Sequence, residues 1–209
     1  MARSRTSGRR STGRAPAAAP DGPAGVVETV AAPTLATATL PRVWQNVGYR
    51  PLADPTTARS LFDFAAVAWP PSAVARAAAR ATGEPNLRVE LEPCWGAYVR
   101  DAAGEQLVGA GIGEHAGSDA MLHGPVIAAR DDALEVATQM VAAWLDHATA
   151  LGVQTVFARP LGLDRIWIRF GFIPVPEGAL PRSLSGRPGA GLFAWRGGSA
   201  LWSFRELRD

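Results

Sequence analysis

The sequence predicts an α+β domain built on a mixed, mostly antiparallel sheet, and three patterns indicate it. Residues 94–115 alternate in polarity on both sides of the turn Asp101–Gly104, which is typical of a hairpin. Residues 120–159 give a strand, an amphipathic helix and a second apolar strand. A short helix that ends at Gly171 follows, and then further strand-like runs, so helices and strands do not alternate strictly along the chain.

The composition fits one globular domain with length left for a tail. The chain has 209 residues, of which 47% are hydrophobic, so it can bury a core. No stretch approaches the roughly 18–20 apolar residues of a membrane span. The N-terminus has no apolar central region and is not a secretory signal. We therefore expect a cytoplasmic protein without membrane contact, and the Ala, Arg and Pro bias is typical of a GC-rich bacterial or bacteriophage genome.

Charge divides the chain into a basic tail and an acidic body. The basic residues of the first 14 positions are Arg3, Arg5, Arg9, Arg10 and Arg14, with no acidic residue among them. An Ala-, Pro- and Gly-rich stretch follows, and we predict that residues 1–38 are disordered and that residues 39–209 form the domain. The five arginines could contact a nucleic acid or an acidic protein. A solvated tail without a partner is the alternative.

The first elements are read from turn and cap residues. Residues 41–53, "PRVWQNVGYRPLA", predict one strand. Residues 54–69 predict a helix with Asp54 as the N-cap and Pro55 at the first position. Residues 70–83 predict a second, Ala-rich helix that Gly83 ends. The "GAGIG" at 109–113 neither follows a strand nor opens a helix, so it indicates close backbone approach or a bulge and not a nucleotide site.

The second half predicts the longest helix and the closing strands. Residues 120–129 and 153–159 are strands, and the helix between them carries one apolar stripe. The stripe comprises Leu134, Ala137, Val141, Trp144, Leu145 and Ala148. Residues 193–204, "FAWRGGSALWSF", predict a hairpin about Gly197 and Gly198, and residues 183–191, "SLSGRPGAG", predict a loop. Because Cys94 is the single cysteine and no His or carboxylate pair has ligand spacing, we expect no metal site.

This order of elements resembles the GNAT (general N-acetyltransferase) superfamily over about residues 41–209. The local text agrees best at 163–175, "LDRIWIRFGFIPV", where Trp167, Gly171 and Phe172 resemble the aromatic-x-x-x-Gly-Phe signature of the family. The resemblance implies a GNAT-like α+β fold with six to seven strands and about four helices. It also implies an N-acyltransferase that takes acetyl-CoA or another acyl-CoA and an amine of unknown identity.

In that family the junction at residues 126–141 binds the pyrophosphate of the cofactor through backbone amides and the helix dipole. The resemblance assigns this contact to Ala128, Ala129, Arg130, Ala133 and Leu134. The motif is degenerate here, because Ala133 and Glu135 stand at its two small positions. Asp132 and Glu135 predict a capping box that would satisfy the first-turn amides itself, stabilising the helix by about 1 kcal/mol and opposing a phosphate.

A second departure from the family lies at Trp167. Family members usually carry a Tyr there, whose hydroxyl protonates the departing thiolate. An indole N–H is not a usable acid, so this residue is instead expected to pack the short helix on the sheet.

An acyl transfer to an amine needs a base, and the candidates are few. His123 lies mid-strand near the place where the family opens its site, and Glu114 ends the preceding strand near the same place. These two are the predicted catalytic residues, with a structural histidine as the alternative for His123. His147 is expected to be a solvated residue on the polar side of the long helix.

Two functions remain open from the sequence. The first is an acyl-CoA-dependent N-acyltransferase with a diverged cofactor loop. The second is a GNAT-like protein without CoA chemistry that acts as a structural or binding protein. Bacteriophages encode GNAT-like proteins with degraded signatures, some of them associated with virions or with DNA, and an Arg-rich tail suits such a role. In that case the protein would be found in the virion.

Overall fold

A computed structural model describes residues 33–75 and 89–197. Its eight strands are β1 Arg42–Trp44, β2 Val47–Pro51, β3 Cys94–Asp101, β4 Gly104–Ala116, β5 Asp119–Ile127, β6 Thr155–Ala158, β7 Ile173–Pro174 and β8 Phe193–Arg196. Its helices are α1 Leu35–Ala38, α2 Arg59–Phe64, α3 at residues 71–75, α4 Ala133–Ala150 and α5 Asp164–Arg169. Short 3-10 turns cover Pro55–Ala58, Glu177–Ala179 and Arg182–Leu184.

The strands form one mixed sheet in the order β1-β2-β3-β4-β5-β6-β8-β7. Each neighbouring pair is antiparallel except β5 and β6, which are parallel. The predicted mixed and mostly antiparallel sheet is confirmed. The predicted numbers were too low, since the described residues form eight strands and five helices instead of six to seven strands and about four helices.

The extra strand comes from a turn that the sequence pattern did not reveal. Residues 41–53 do not form one strand, because Gln45 and Asn46 take positive φ values of 46° and 66°. Two successive residues of this kind make a tight hairpin turn, which joins β1 to β2 with Trp44 opposite Val47. Gln-Asn is a weaker signal for this turn than Asn-Gly, so the sequence pattern predicted one continuous strand.

The extra helix is α1, which lies within the last residues of the predicted tail. Thr34 and Thr37 cap its start reciprocally, and Ala38 is fully buried. The described part of the domain therefore begins before residue 39. Residues 1–32, with the five predicted contact arginines, lie outside the described residues.

The helix that follows β2 starts as predicted and ends earlier. The Asp54 carboxylate accepts from the Thr56 amide at 3.0 Å, and Pro55 occupies the first turn. The chain leaves the helix after Phe64, and Ala66 has a φ of 52°. The predicted helix over 54–69 is therefore shorter. The second predicted helix is described at residues 71–75 only, and its remainder lies outside the described residues, as does the second strand of the closing hairpin.

Two hydrophobic clusters lie on opposite faces of the sheet. The long helix α4 covers one face, where Trp144 and Val141 pack with Trp95 of β3. Helix α2 covers the other, where Phe62 packs with Ile112 of β4. The predicted α4 stripe is buried as expected, except that Leu134 is 54% exposed, since it lies in the first turn beyond the edge of the sheet cluster.

The glycines of "GAGIG" serve close packing within β4. A Cβ at Gly109 would lie 2.7 Å from Ile127 Cδ1, and a Cβ at Gly113 would lie 2.6 Å from the Pro93 carbonyl oxygen. The register between β4 and β5 shifts between Ala110 and Ile112, which marks a bulge. The predicted close approach and bulge are confirmed.

The parallel pair β5 and β6 parts in the middle of the sheet. The two strands are paired from Asp119 and Thr155 to Leu122 and Ala158, where β6 ends. β5 continues to Ile127 and is paired there with β4 alone among the described strands. The residue after the last pair is His123 on one strand and Arg159 on the other, so these two side chains enter the opening.

Candidate functional site

A cavity of about 210 Å³ lies where β5 and β6 part. His123 and Gly124 of β5 line it, together with Arg159, which directly follows β6. Small and apolar residues of β5, of the turn after α2, of the loop between β6 and α5, and of the loop before β8 form the remaining walls. These are Ala66, Val67, Ala68, Leu122, Leu161, Pro188 and Gly189.

Strand alternation directs His123 and Glu114 to the same face of the sheet. Leu122 belongs to the core under α4, so its neighbour His123 faces the other side. His123 lies opposite Ile112 in the register with β4, and Glu114 is two residues beyond Ile112 on the same face. The result is a direct contact, in which His123 Nε2 lies 2.7 Å from Glu114 Oε2. The structure therefore brings the two predicted catalytic residues together.

Glu114 is completely buried and holds three hydrogen-bond donors. Besides His123, the Arg187 Nε donates to Oε2 at 2.6 Å and the Ser72 amide donates to Oε1 at 2.9 Å. Burial by itself raises the pKa of Glu114, but the bonds from these donors outweigh it and hold the pKa well below its usual range. Glu114 is thus a buried carboxylate with a permanent charge.

The charge on Glu114 fixes which ring nitrogen of His123 carries hydrogen. An ionised carboxylate accepts hydrogen bonds and cannot donate them. His123 Nε2 must therefore be the donor in this pair, and in the neutral ring Nδ1 is then an acceptor. Among the described residues no partner is recorded for Nδ1, and the ring lines the cavity. Orientation of a histidine by a carboxylate is one way in which proteins prepare a general base.

Two arginines hold the loop at 177–191 against this pair. Arg187 comes from the predicted Gly- and Pro-rich loop, and its Nη1 also donates to the carbonyl oxygens of Ser183 and Ser185, at 2.9 Å each. Arg159 donates to the carbonyl oxygens of Gly191 and Arg187, at 2.7 Å each. Sequence patterns carried no signal for either arginine, because Glu114 lies 73 residues before Arg187 and the carbonyl partners of Arg159 lie 28 and 32 residues after it.

The predicted capping box at the start of α4 is wrong. No side chain caps this helix end, and the Asp132 carboxylate instead binds the Arg130 guanidinium through two contacts, one of them 2.7 Å from Nη2. Glu135 accepts from Gln139 Nε2 at 2.8 Å. A two-point bond between charged groups is stronger than a bond from a carboxylate to a neutral amide. Asp132 therefore binds the nearby Arg130 and does not form the capping box that the local sequence predicted. The same bond lowers the pKa of Asp132.

The other predicted cofactor contacts differ in whether their backbone amides already donate to the protein. The Ala128 amide donates to the Val108 carbonyl oxygen at 2.8 Å, and the Ala133 amide donates to that of Arg130 at 3.3 Å. These two amides are engaged within the chain. Leu134 lies in the first turn of α4 and is exposed, and no side chain caps that turn.

His147 is not the solvated residue that the helical pattern predicted. It is 3% exposed, and its Nδ1 accepts from Trp95 Nε1 at 3.1 Å. Burial lowers its pKa, while the Glu92 carboxylate 3.5 Å from Nε2 opposes that effect. The helical pattern places His147 correctly on α4, but only the tertiary structure shows that β3 and residues before it cover this side.

Trp167 is a packing residue, as expected. It is fully buried, its Nε1 donates to the Pro160 carbonyl oxygen at 2.9 Å, and its ring lies 5.0 Å from that of Phe172. Gly171 ends α5 with a φ of 82°. The motif that carried the resemblance is therefore a structural corner.

No three His, Cys, Asp or Glu side chains at 33–75 and 89–197 are grouped to hold a metal ion. No helix in the same ranges is long and apolar enough to cross a membrane.

Comparison with solved structures supports a GNAT-like fold with a mixed sheet and several helices. The N-acetylglutamate synthase of Neisseria gonorrhoeae matches with a TM-score of 0.50 at 13% identity, over 74% of this chain and 36% of the other. A GNAT-family acetyltransferase of Staphylococcus aureus Mu50 matches with a TM-score of 0.49 at 8% identity, over 72% of this chain and 98% of the other. Mycobacterium smegmatis RimJ matches with a TM-score of 0.46 at 18% identity, over 78% of this chain and 88% of the other. No family model and no curated protein matches the sequence. At such identities the likeness shows the fold alone.

Proposed function

We propose that this protein is an acyl-CoA-dependent N-acyltransferase in which His123 is the general base and Glu114 orients it. The observation that carries this proposal is the buried 2.7 Å contact between the two side chains beside the cavity where β5 and β6 part. A charged carboxylate is costly to bury, and here three donors stabilise it at the position that fixes a histidine ring.

The base acts on the amine of the acceptor. An ammonium group has no lone pair, so the nitrogen must lose a proton before or during attack on an acyl carbon. His123 Nδ1 faces the cavity as an acceptor and takes that proton. The ring then becomes a cation, and Glu114 stabilises this cation through its bond to Nε2. Arg187 offsets the charge of Glu114 in the absence of the proton.

The residues at the start of α4 fit an anionic group in part. Because Asp132 binds Arg130 and does not cap the helix, the first-turn amides after Ala133 and the helix dipole remain able to receive a phosphate. Ala129, Arg130 and Leu134 would hold the cofactor there. Acyl-CoA supplies the acyl group as an activated thioester and leaves as the thiol. The N. gonorrhoeae enzyme was solved with coenzyme A and N-acetyl-glutamate, which supports CoA as a ligand of this fold.

Calorimetry with acetyl-CoA and a thiol-release assay test the proposal. The full chain should bind acetyl-CoA, and a panel of amines should contain acceptors that release free CoA thiol. His123→Asn should bind the cofactor equally and release thiol far more slowly. Absence of binding at millimolar acetyl-CoA would contradict the proposal.

A second function is favoured by the acidic residues at the cofactor junction. Asp131, Asp132 and Glu135 surround the start of α4, and Trp167 replaces the usual acid, so the fold could serve as a binding protein without CoA chemistry. The tail arginines would then contact DNA or an acidic protein. Under this alternative, deletion of residues 1–14 abolishes salt-dependent DNA binding while acetyl-CoA gives no heat of binding. DNA binding that persists without the tail would exclude that role.

A further inference from the structure

The walls of the cavity beside His123 contain one cation and no acid. Among the residues that line it, Arg159 is charged, His123 is titratable, and the others are apolar or glycine. Two carboxylates adjoin these lining residues and both are engaged: Glu114 accepts from three donors, and Glu177 binds Arg159 Nη1. A ligand in this cavity therefore finds no free carboxylate among the lining residues.

Arg159 is buried, and its contacts fix the plane of its guanidinium. Nη1 bonds to Glu177 and to the Gly191 carbonyl oxygen, and Nη2 bonds to the Arg187 carbonyl oxygen. Nε is buried and has no hydrogen-bond partner among the described residues. The side chain passes under Gly189, where a Cβ would lie 3.2 Å from Nε. The absence of a side chain at Gly189 leaves the loop able to lie this close to the guanidinium.

A buried N–H of a charged group without a partner is unfavourable. Nε–H and one Nη2 hydrogen form the edge of a guanidinium that matches a carboxylate. Glu177 binds at Nη1 and is itself more than half exposed, so it does not occupy this edge. The unsatisfied donor, the cavity and the base opposite it point to one type of ligand.

We propose that the acceptor of this site is a small amine that also bears a carboxylate, with Arg159 holding the carboxylate and His123 facing the amine. This inference rests on the proposed function and names its substrate class. His123 and Arg159 follow the last paired residues of two adjacent strands, so they lie on the two sides of one opening.

The same features disfavour the other common amines. A polyamine or a lysine-rich peptide would bring a second cation to a cavity whose lining has no acid to bind it. No group of the cavity lining would offset the desolvation of this second cation. Simple amines without a second charge would fit, but would leave the Arg159 Nε unsatisfied.

The test compares matched ligands on the unaltered full chain. Amino acids and the corresponding amino acid amides differ at the carboxylate only, and spermidine represents the polyamines. Binding is measured by calorimetry without acetyl-CoA and, separately, KM and kcat are measured by thiol release with it. We expect the acids to bind at least tenfold more tightly than their amides, with the difference in KM. Equal affinity of acid and amide, or preference for spermidine, would overturn the proposal.

Two variants separate recognition from folding. Arg159→Gln should abolish the preference for acid over amide, measured as the ratio of the two affinities. Glu177→Gln removes the exposed partner and keeps the guanidinium, so the preference should persist. A preference that survives Arg159→Gln would contradict the role of Arg159. If Arg159→Gln does not fold, the ligand comparison on the unaltered chain decides alone. If no amine releases thiol, the proposed function fails, whereas the calorimetric comparison still decides carboxylate recognition.

Discussion

Glu114 Oε2 lies 2.7 Å from His123 Nε2, and both side chains are at least nine-tenths buried. The two residues are nine positions apart and belong to adjacent antiparallel strands. Since Oε2 also accepts from Arg187, the pair joins the sheet to the loop at 177–191. This contact brings together the charged Glu114, the proposed base His123 and Arg187, which holds the loop.

Replacing the buried carboxylate should destabilise the fold. Glu114→Gln leaves Arg187 buried without a counter-charge, so we expect the free energy of unfolding to fall by on the order of 3 kcal/mol. Urea denaturation measures it. Glu105→Gln is the matched control, because Glu105 lies on the same strand and binds Arg50 at the surface. That change should cost far less, because solvent screens the exposed pair. Equal effects of the two substitutions would contradict the buried ion pair.

The contribution of Glu114 to stability should depend on pH. Its pKa in the folded protein is held below that of the unfolded chain, so its stabilisation is complete above the unfolded value near about 4.3 and is lost as the pH falls through the folded value. The difference in unfolding free energy between wild type and Glu114→Gln should therefore shrink as the pH falls below about 4. Burial also lowers the pKa of His147, but both proteins carry His147, so its effect cancels. A difference that grows on acidification would refute this sign.

Removal of the base should slow transfer without loss of cofactor binding. His123→Asn should reduce thiol release by roughly 10²- to 10⁴-fold, because the amine proton has no acceptor in the cavity. Calorimetry should give the same affinity for acetyl-CoA as in the wild type. His115→Asn is the control. His115 lies near the end of β4, next to Glu114 in sequence, and does not line the cavity. An unchanged rate in His123→Asn would show that another group accepts the proton.

The acidic residue at the cofactor junction can be removed at little structural cost. Asp132→Asn should leave stability within about 1 kcal/mol, because the pair with Arg130 is partly exposed and does not cap α4. It should strengthen acetyl-CoA binding by roughly five- to tenfold. A carboxylate about 8 Å from a phosphate costs on the order of 2 kcal/mol at an effective dielectric of about 20, part of which solvent screens.

Asp131→Asn is the matched control for this experiment, since Asp131 is exposed in the same turn and has no recorded bond to Arg130. It removes the same charge and should increase affinity by the smaller, general electrostatic effect. Weaker binding of acetyl-CoA by Asp132→Asn would mean that the pair with Arg130 helps to build the cofactor contact.

Trp167 should matter for stability and not for proton transfer. Trp167→Phe removes the donor to the Pro160 carbonyl oxygen and leaves space in the core, so we expect a loss of about 1–3 kcal/mol in a thermal or urea melt. The rate of thiol release below the melting temperature should be unchanged, because an indole does not act as the acid. A large fall in kcat with unchanged stability would assign Trp167 to the reaction.

Two site residues could be named from the sequence with the help of the family resemblance. His123 and Glu114 are polar residues in predicted strands, and the resemblance places those positions near the opening of the site. Their contact could not be derived, because it requires the register of β4 against β5 and a bulge at residues 110–112 moves that register by one position.

Other parts of the site had no local signal. Arg159 follows a strand and Arg187 lies in a Gly- and Pro-rich loop, and nothing near either residue in sequence names a partner. The capping pattern at Asp132 and Glu135 was visible but gave the wrong contact, since Arg130 competes for the same carboxylate. His147 was assigned to the wrong environment because periodicity describes a helix and not what packs against it.

The sequence alone determined the order of elements from β3 to α5, the apolar stripe of α4, the corner at Gly171 and the polar residues of β4 and β5. These depend on backbone preferences and on periodicities of a few residues, which neighbouring side chains express directly. The tertiary structure alone decided that Glu114 is shared by His123, Arg187 and Ser72, and that His123 and Arg159 face one cavity. Such relationships depend on hydrogen bonds between segments up to 73 residues apart, and their geometry exists only when the sheet, the helices and the loop have packed together.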